Sequence, residues 1–116
     1  LSALPVEGYD GDVPDLATYM PDATARHEAI WSELWATPQA CAWSEERYRW
    51  PIVADLVKWM VRSDAPDAAA STATSVRQLR DDLGLSSAGL RVNGWKIADG
   101  HVVTRSVQSY LDYIAA

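Results

Sequence analysis

RQLRDDLGLSSAGLRVNGWKI, residues 77–97, is the stretch that decides the fold. Leu79 and Leu83 close the apolar face of one helix, and Gly84 stands where a helix ends in left-handed geometry. Ser86 is an N-cap residue type, and the run behind it reaches Arg91 or Val92 before Asn93-Gly94 stops it. Helix, glycine turn and serine-capped short helix together make a helix-turn-helix-like element. An ordinary corner between two helices has the same grammar. Trp95 to Val103 then breaks the helical period. Lys96-Ile97-Ala98, Asp99-Gly100 and His101-Val102-Val103 predict a short β-hairpin near residues 95–103, on a two-residue turn.

Upstream, the pattern stays helical. Residues 67–83 predict a long alanine-rich helix with Ala69, Thr72, Ala73, Val76, Leu79 and Leu83 on one face. Ser63-Asp64-Ala65-Pro66-Asp67 separates it from a helix over 51–63, whose stripe is Ile52, Val53, Leu56, Trp59 and Met60. That helix is expected to begin at Pro51, because a residue before proline avoids helical geometry. The first helix opens after Pro21, with Asp22 or Thr24 as N-cap and Ile30, Trp31, Leu34 and Trp35 as its stripe. Thr37-Pro38 ends it and restarts a short helical turn, and Ser44 to Arg47 is a further cap-like start. Val107, Tyr110, Leu111 and Ile114 mark a last helix from about Thr104. The fold class read from this is all-α: one small helical domain over residues 22–116. Residues 1–21 carry Pro5, Gly8, Gly11, Pro14 and Pro21 and no period, which predicts an acidic flexible arm.

The composition turns from chemistry toward packing. The chain has six tryptophans and no phenylalanine in 116 residues. Trp31, Trp35, Trp43, Trp59 and Trp95 are the candidate core or interface aromatics; each buries a large ring and keeps one N–H that needs a partner. Cys41 is the only cysteine, so no internal disulfide can form, as suits a reducing cytosol. No base stands near Cys41 to activate it, and His27 and His101 read as surface histidines. No metal-ligand spacing, phosphate loop, dinucleotide fingerprint or nucleophile elbow is present. The expectation is a non-enzymatic protein with no cofactor and no metal. No apolar run is long enough for a membrane span.

Charge is unevenly placed. The net value is −6, and residues 1–22 hold Glu7, Asp10, Asp12, Asp15 and Asp22 with no basic residue. The rest of the chain is nearly neutral, so no broad nucleic-acid footprint exists. A local one does: Arg77, Arg80, Arg91 and Lys96 cluster on the deciding stretch, with Asp81 and Asp82 opposing them. Arg77 and Arg80 are three apart and share a helix face.

Two blocks carry a family resemblance. IWSELWATPQACAW, residues 30–43, and LRDDLGLSSAGLRVNGWKI, residues 79–97, resemble in order and spacing the small terminase subunits of actinobacterial tailed phages. The likeness spans about residues 22–97. The chain departs from the family pattern at Ser87, where a proline is expected, and in having fewer arginines around Leu90. The resemblance implies a DNA-packaging adaptor that binds viral double-stranded DNA, forms a homo-oligomeric ring and recruits the large ATPase and nuclease subunit, in the cytoplasm of an infected bacterial host. Any DNA contact is expected at Arg77, Arg80, Arg91 and Lys96, because they are the local basic cluster; the departures at Ser87 and around Leu90 keep base contacts from being carried over from the family. Two other readings stand beside the adaptor: a winged-helix transcription regulator that uses the same segment, with its wing at 95–103, and a helical protein–protein interaction domain without DNA binding.

Overall fold

Thr24, one of the two N-cap candidates, starts the first helix. Its hydroxyl oxygen accepts from the backbone N–H of His27, and its own backbone N–H donates 3.0 Å to His27 Nδ1, a reciprocal cap. In the computed structural model, which describes residues 2–98, helix α1 runs Ala25–Trp35 and buries the expected Ile30, Trp31, Leu34 and Trp35. A short α2, Gln39–Trp43, follows Pro38. A 3-10 turn, Arg47–Arg49, leads into α3, Trp50–Ser63. Then come α4, Ala70–Asp82, and α5, Ser87–Asn93. The protein is mostly helical, as its periodicity predicts.

Two helix starts differ from the sequence reading. Trp50 is helical at φ −60° and ψ −45° although Pro51 follows it. Its indole N–H donates to the Trp43 carbonyl in a part-buried bond, and its ring packs edge-on to Trp35; these contacts outweigh the local bias. Helix α4 starts at Ala70 rather than Asp67, because Ala68 closes a turn onto Ala65 and Ala69 is extended.

The hairpin expectation needs correction. Trp95–Ala98 is a strand, β2, but its partner is β1, Ser2–Pro5, and the two run parallel with Ser2 opposite Trp95 and Leu4 opposite Ile97. A parallel pair needs a long crossover, which the helices supply, and no tight turn. The Asp99-Gly100 turn, residues 101–103 and the helix expected from Thr104 lie outside the described residues. So the fold is helical with a small parallel sheet, and an all-α assignment misses that sheet.

The expected flexible arm is also packed where it is described. Leu4 and Leu16 are core residues, and a 3-10 turn at Leu16–Thr18 is capped by Asp15. The Trp31 indole N–H donates 2.8 Å to the Pro14 carbonyl. The segment lacks a period because single residues, not a repeating face, fix it to the helices.

Trp35 is the centre of the core. Its ring lies 5.6–5.9 Å from those of Tyr9, Trp31, Trp43 and Trp50, edge-on to the last two. Beneath it, α3 buries Val53, Ala54, Leu56 and Val57. Trp43 and Trp95 are buried with this set; Trp59 is only half-buried, with the Arg62 guanidinium 4.9 Å from its ring. Among the described residues no helix is long and apolar enough to cross a membrane.

Candidate nucleic-acid interface

The turn from α4 to α5 begins with a general problem: the last carbonyls of a helix have no partner within it. Here each one finds a partner. Leu83 and Leu85 donate backbone N–H groups to the carbonyls of Leu79 and Arg80, and Gly84 donates to Asp81. The three carbonyls beyond those are taken by side chains from distant elements. Arg49 Nη1 and Asn93 Nδ2 donate to the Asp82 carbonyl at 3.0 and 3.3 Å. Trp43 Nε1 donates to Leu83 at 3.0 Å, and the buried Gln39 amide donates to Gly84 at 2.9 Å. The bonds to Leu83 and Gly84 are buried, and they rigidify the turn, since a shift would leave one of these carbonyls unpaired at a cost of about 1–3 kcal/mol.

Two glycines make the turn tight. Gly84 has φ +78°, and a Cβ there would stand 2.4 Å from the Trp95 ring. At Gly89 a Cβ would meet the Asp81 carbonyl oxygen at 2.4 Å, so only glycine lets α5 approach the end of α4 this closely. Ser86 caps α5: its oxygen accepts from the Gly89 N–H at 2.9 Å, and its hydroxyl donates to the Asp81 carboxylate. Asp81 is thereby committed to the turn. Gly94, at φ +72°, ends α5 and hands the chain to β2.

The four expected DNA-contacting residues do not gather at one point. Arg77 and Arg80 line a groove of about 290 Å³ with Ser63, Ala73, Val76, Asp81 and Ser86. Arg77 is exposed, and Arg80 is half-buried with a 3.5 Å contact from Nη2 to the Leu85 carbonyl. Arg91 on α5 and Lys96 on β2 are exposed and lie outside that groove. None of the four is in an ion pair among the described residues, where the pairs are Arg26–Asp64 and Arg49–Glu46. Asn93 faces inward: it donates to Gly89 and Asp82 carbonyls and accepts from Arg49.

Arg49 is the residue that sequence reasoning missed. Besides Asp82 it holds Glu46 and, at 2.7 Å, Asn93 Oδ1, and its guanidinium sits 4.8 Å from the Trp95 ring. Its partners lie 33 and 44 residues away, so no local pattern marks it. A second groove, of about 300 Å³, passes beside it between Tyr48 and the α5 residues Ala88, Gly89 and Val92. Tyr48 and Val92 are strongly exposed, at 66% and 87%.

Elsewhere the chemistry is quiet. Burial, and then the charge of Asp10, push the Cys41 thiol up, the direction opposite to nucleophile activation. Among the described residues no three His, Cys, Asp or Glu side chains are grouped to hold a metal. Comparison with protein-family models, with curated proteins and with solved structures gives no match.

Proposed function

We propose that this chain is a DNA-packaging adaptor of the small terminase subunit type: a non-catalytic protein that binds viral double-stranded DNA, assembles with copies of itself and recruits the large ATPase and nuclease subunit in the infected bacterial cytoplasm. The observation that carries the reading is the meeting of the two resembling blocks. They lie some 40 residues apart, and Gln39 and Trp43 of the first donate to Gly84 and Leu83 of the second. The residues that give the resemblance are thus those that build one rigid joint. That supports a single inherited unit over two separate chance likenesses.

The joint fixes the end of α4 against α5, with Arg77 and Arg91 exposed and Arg80 half-buried beside Arg77. A chain of net charge −6 binds a polyanion weakly through one such patch. Several copies bind it well, because linked sites act at high effective concentration. Phosphate contacts then make binding salt-dependent, with about one unit of log–log slope per contact.

The test is the triple variant Arg77→Ala, Arg80→Ala, Arg91→Ala, measured by solution mass and by DNA affinity across salt. The parent should be a ring-sized oligomer that binds duplex DNA. The variant should keep that mass and lose about three units of salt slope per engaged subunit. A variant that keeps both its mass and its affinity would overturn the assignment of the DNA surface. A dimeric parent would favour a transcription regulator, and a monomer that ignores DNA would favour a protein-interaction domain.

A further inference from the structure

A different hollow, of about 400 Å³, opens between the start of α1 and the second half of α3. It is lined by Tyr19, Met20, Asp22, His27, Lys58, Val61 and Arg62. Three features bear on what this hollow can hold. Lys58 and Arg62 are four apart on α3, hence on one face, and neither forms an ion pair among the described residues. Asp64, the next carboxylate along the chain, is held by Arg26 at 3.0 Å, and this pairing raises the pKa of the Arg26 guanidinium above its usual value.

The third feature is the protonation pattern of His27. The Thr24 backbone N–H points at His27 Nδ1, and an N–H can only donate. Nδ1 therefore accepts, and also takes the Thr24 hydroxyl at 2.7 Å. A neutral ring bonded in this way carries its proton on Nε2. The helix cap fixes the tautomer, and the ring lining the hollow brings an N–H donor as its remaining polar atom. Asp22 is the one carboxylate on the hollow wall, so the fixed charges sum to one positive unit.

We propose that this hollow is a phosphate-binding site, in which Lys58 and Arg62 supply the charge and His27 Nε2–H orients an oxygen of the anion. A guanidinium gives a phosphate two parallel donors, an ammonium gives a point charge, and a neutral imidazole N–H adds direction without charge. The mixed wall, with Tyr19, Met20 and Val61 beside the donors, leaves an apolar face for the group that bears the phosphate. Asp22 opposes the anion and weakens its binding.

The experiment uses the whole chain and NMR. Inorganic phosphate is titrated at constant ionic strength while the His27 ring and the backbone amides of Asp22, Lys58 and Arg62 are followed. These signals should shift together and saturate, with sulfate weaker or equal and chloride inert. Lys58→Gln with Arg62→Gln should weaken the fitted constant by about tenfold or more, and Asp22→Asn should tighten it. A duplex oligonucleotide is then added to the phosphate-saturated protein. If it displaces phosphate here, the natural source is a nucleic-acid backbone; if it does not, the source is a small phosphorylated molecule. No saturable shift at these residues, or an unchanged constant in the folded double variant, overturns the proposal. The substitutions lie away from Arg77, Arg80 and Arg91, so failure here leaves the packaging reading standing.

Discussion

Helices α3 and α4 are nearly equal in length, 14 residues against 13, and they pack on each other, yet they do opposite work. α3 buries Val53, Ala54, Leu56 and Val57 and carries much of the core. α4 buries only Thr72 along its length; Val76 and Leu79 are half-buried, and Leu83 just beyond its end is fully buried. One helix is held by its face, the other by its end. A helix held mainly by its end can be rigid where it is tied, at the 82–85 turn; at its start only Thr72 is buried, and Ala70, Ser71, Ala73 and Thr74 are exposed.

The comparison breaks most visibly at the core. Trp35→Ala removes the ring that meets Trp50 at the head of α3 and should cost about 3–5 kcal/mol in chemical denaturation. A loss under about 1 kcal/mol would mean that α3 is not seated on the aromatic cluster. At the tied end of α4, Gly89→Ala places a methyl against the Asp81 carbonyl and should cost about 1–3 kcal/mol. Its signature should be local: amide exchange speeds up across residues 79–94 while the α1 and α3 amides hold. At the open end, Ala70→Glu with Thr74→Glu should change monomer stability by no more than about 0.5 kcal/mol, since both positions are exposed. If the start of α4 faces another subunit, the same pair of charges should lower the assembly mass. Unchanged mass in a variant of an oligomeric parent would place the subunit contact elsewhere.

The legible and illegible parts divide along the same line. Repeating faces are legible in part: the α1 stripe is buried as its spacing implies, and Ser86, Gly84 and Gly94 mark α5 because caps and left-handed turns demand particular residue types. Of the α3 stripe only Val53 and Leu56 are buried, while Ile52, Trp59 and Met60 are half-buried and Ala54 and Val57 fill the core beside them. Pairings at long separation are not legible. Nothing local in Ser2–Pro5 names Trp95–Ala98 as its partner, and a strand followed by Asp99-Gly100 reads as half of a hairpin. The same holds for the candidate site. Arg77 and Arg80 share a groove as their spacing implies, whereas Arg49 and Gln39 act across the fold from positions that no local pattern marks, and Trp43, expected as a core aromatic, carries no local sign that Leu83 is its partner. Of the face expected from Ala69, Thr72 and Ala73, Thr72 is buried and the two alanines are exposed; periodicity gives a face its direction, not a neighbour to cover it.

The parallel pairing of β1 with β2 has a kinetic consequence. It joins positions about 90 residues apart, and closing a free chain of that length costs on the order of 4 kcal/mol in entropy. Once α1 to α5 are docked, most of that cost has already been met, so the strand pair should zip last. Contacts made after the transition state alter the escape rate from the native state and leave the folding rate alone. Leu4→Ala, which trims a buried residue of β1, should therefore steepen nothing in the refolding limb of a chevron plot and raise the unfolding limb by nearly the whole change in stability. On that outcome the sheet, though small, would be a latch that sets how long the helical body stays closed.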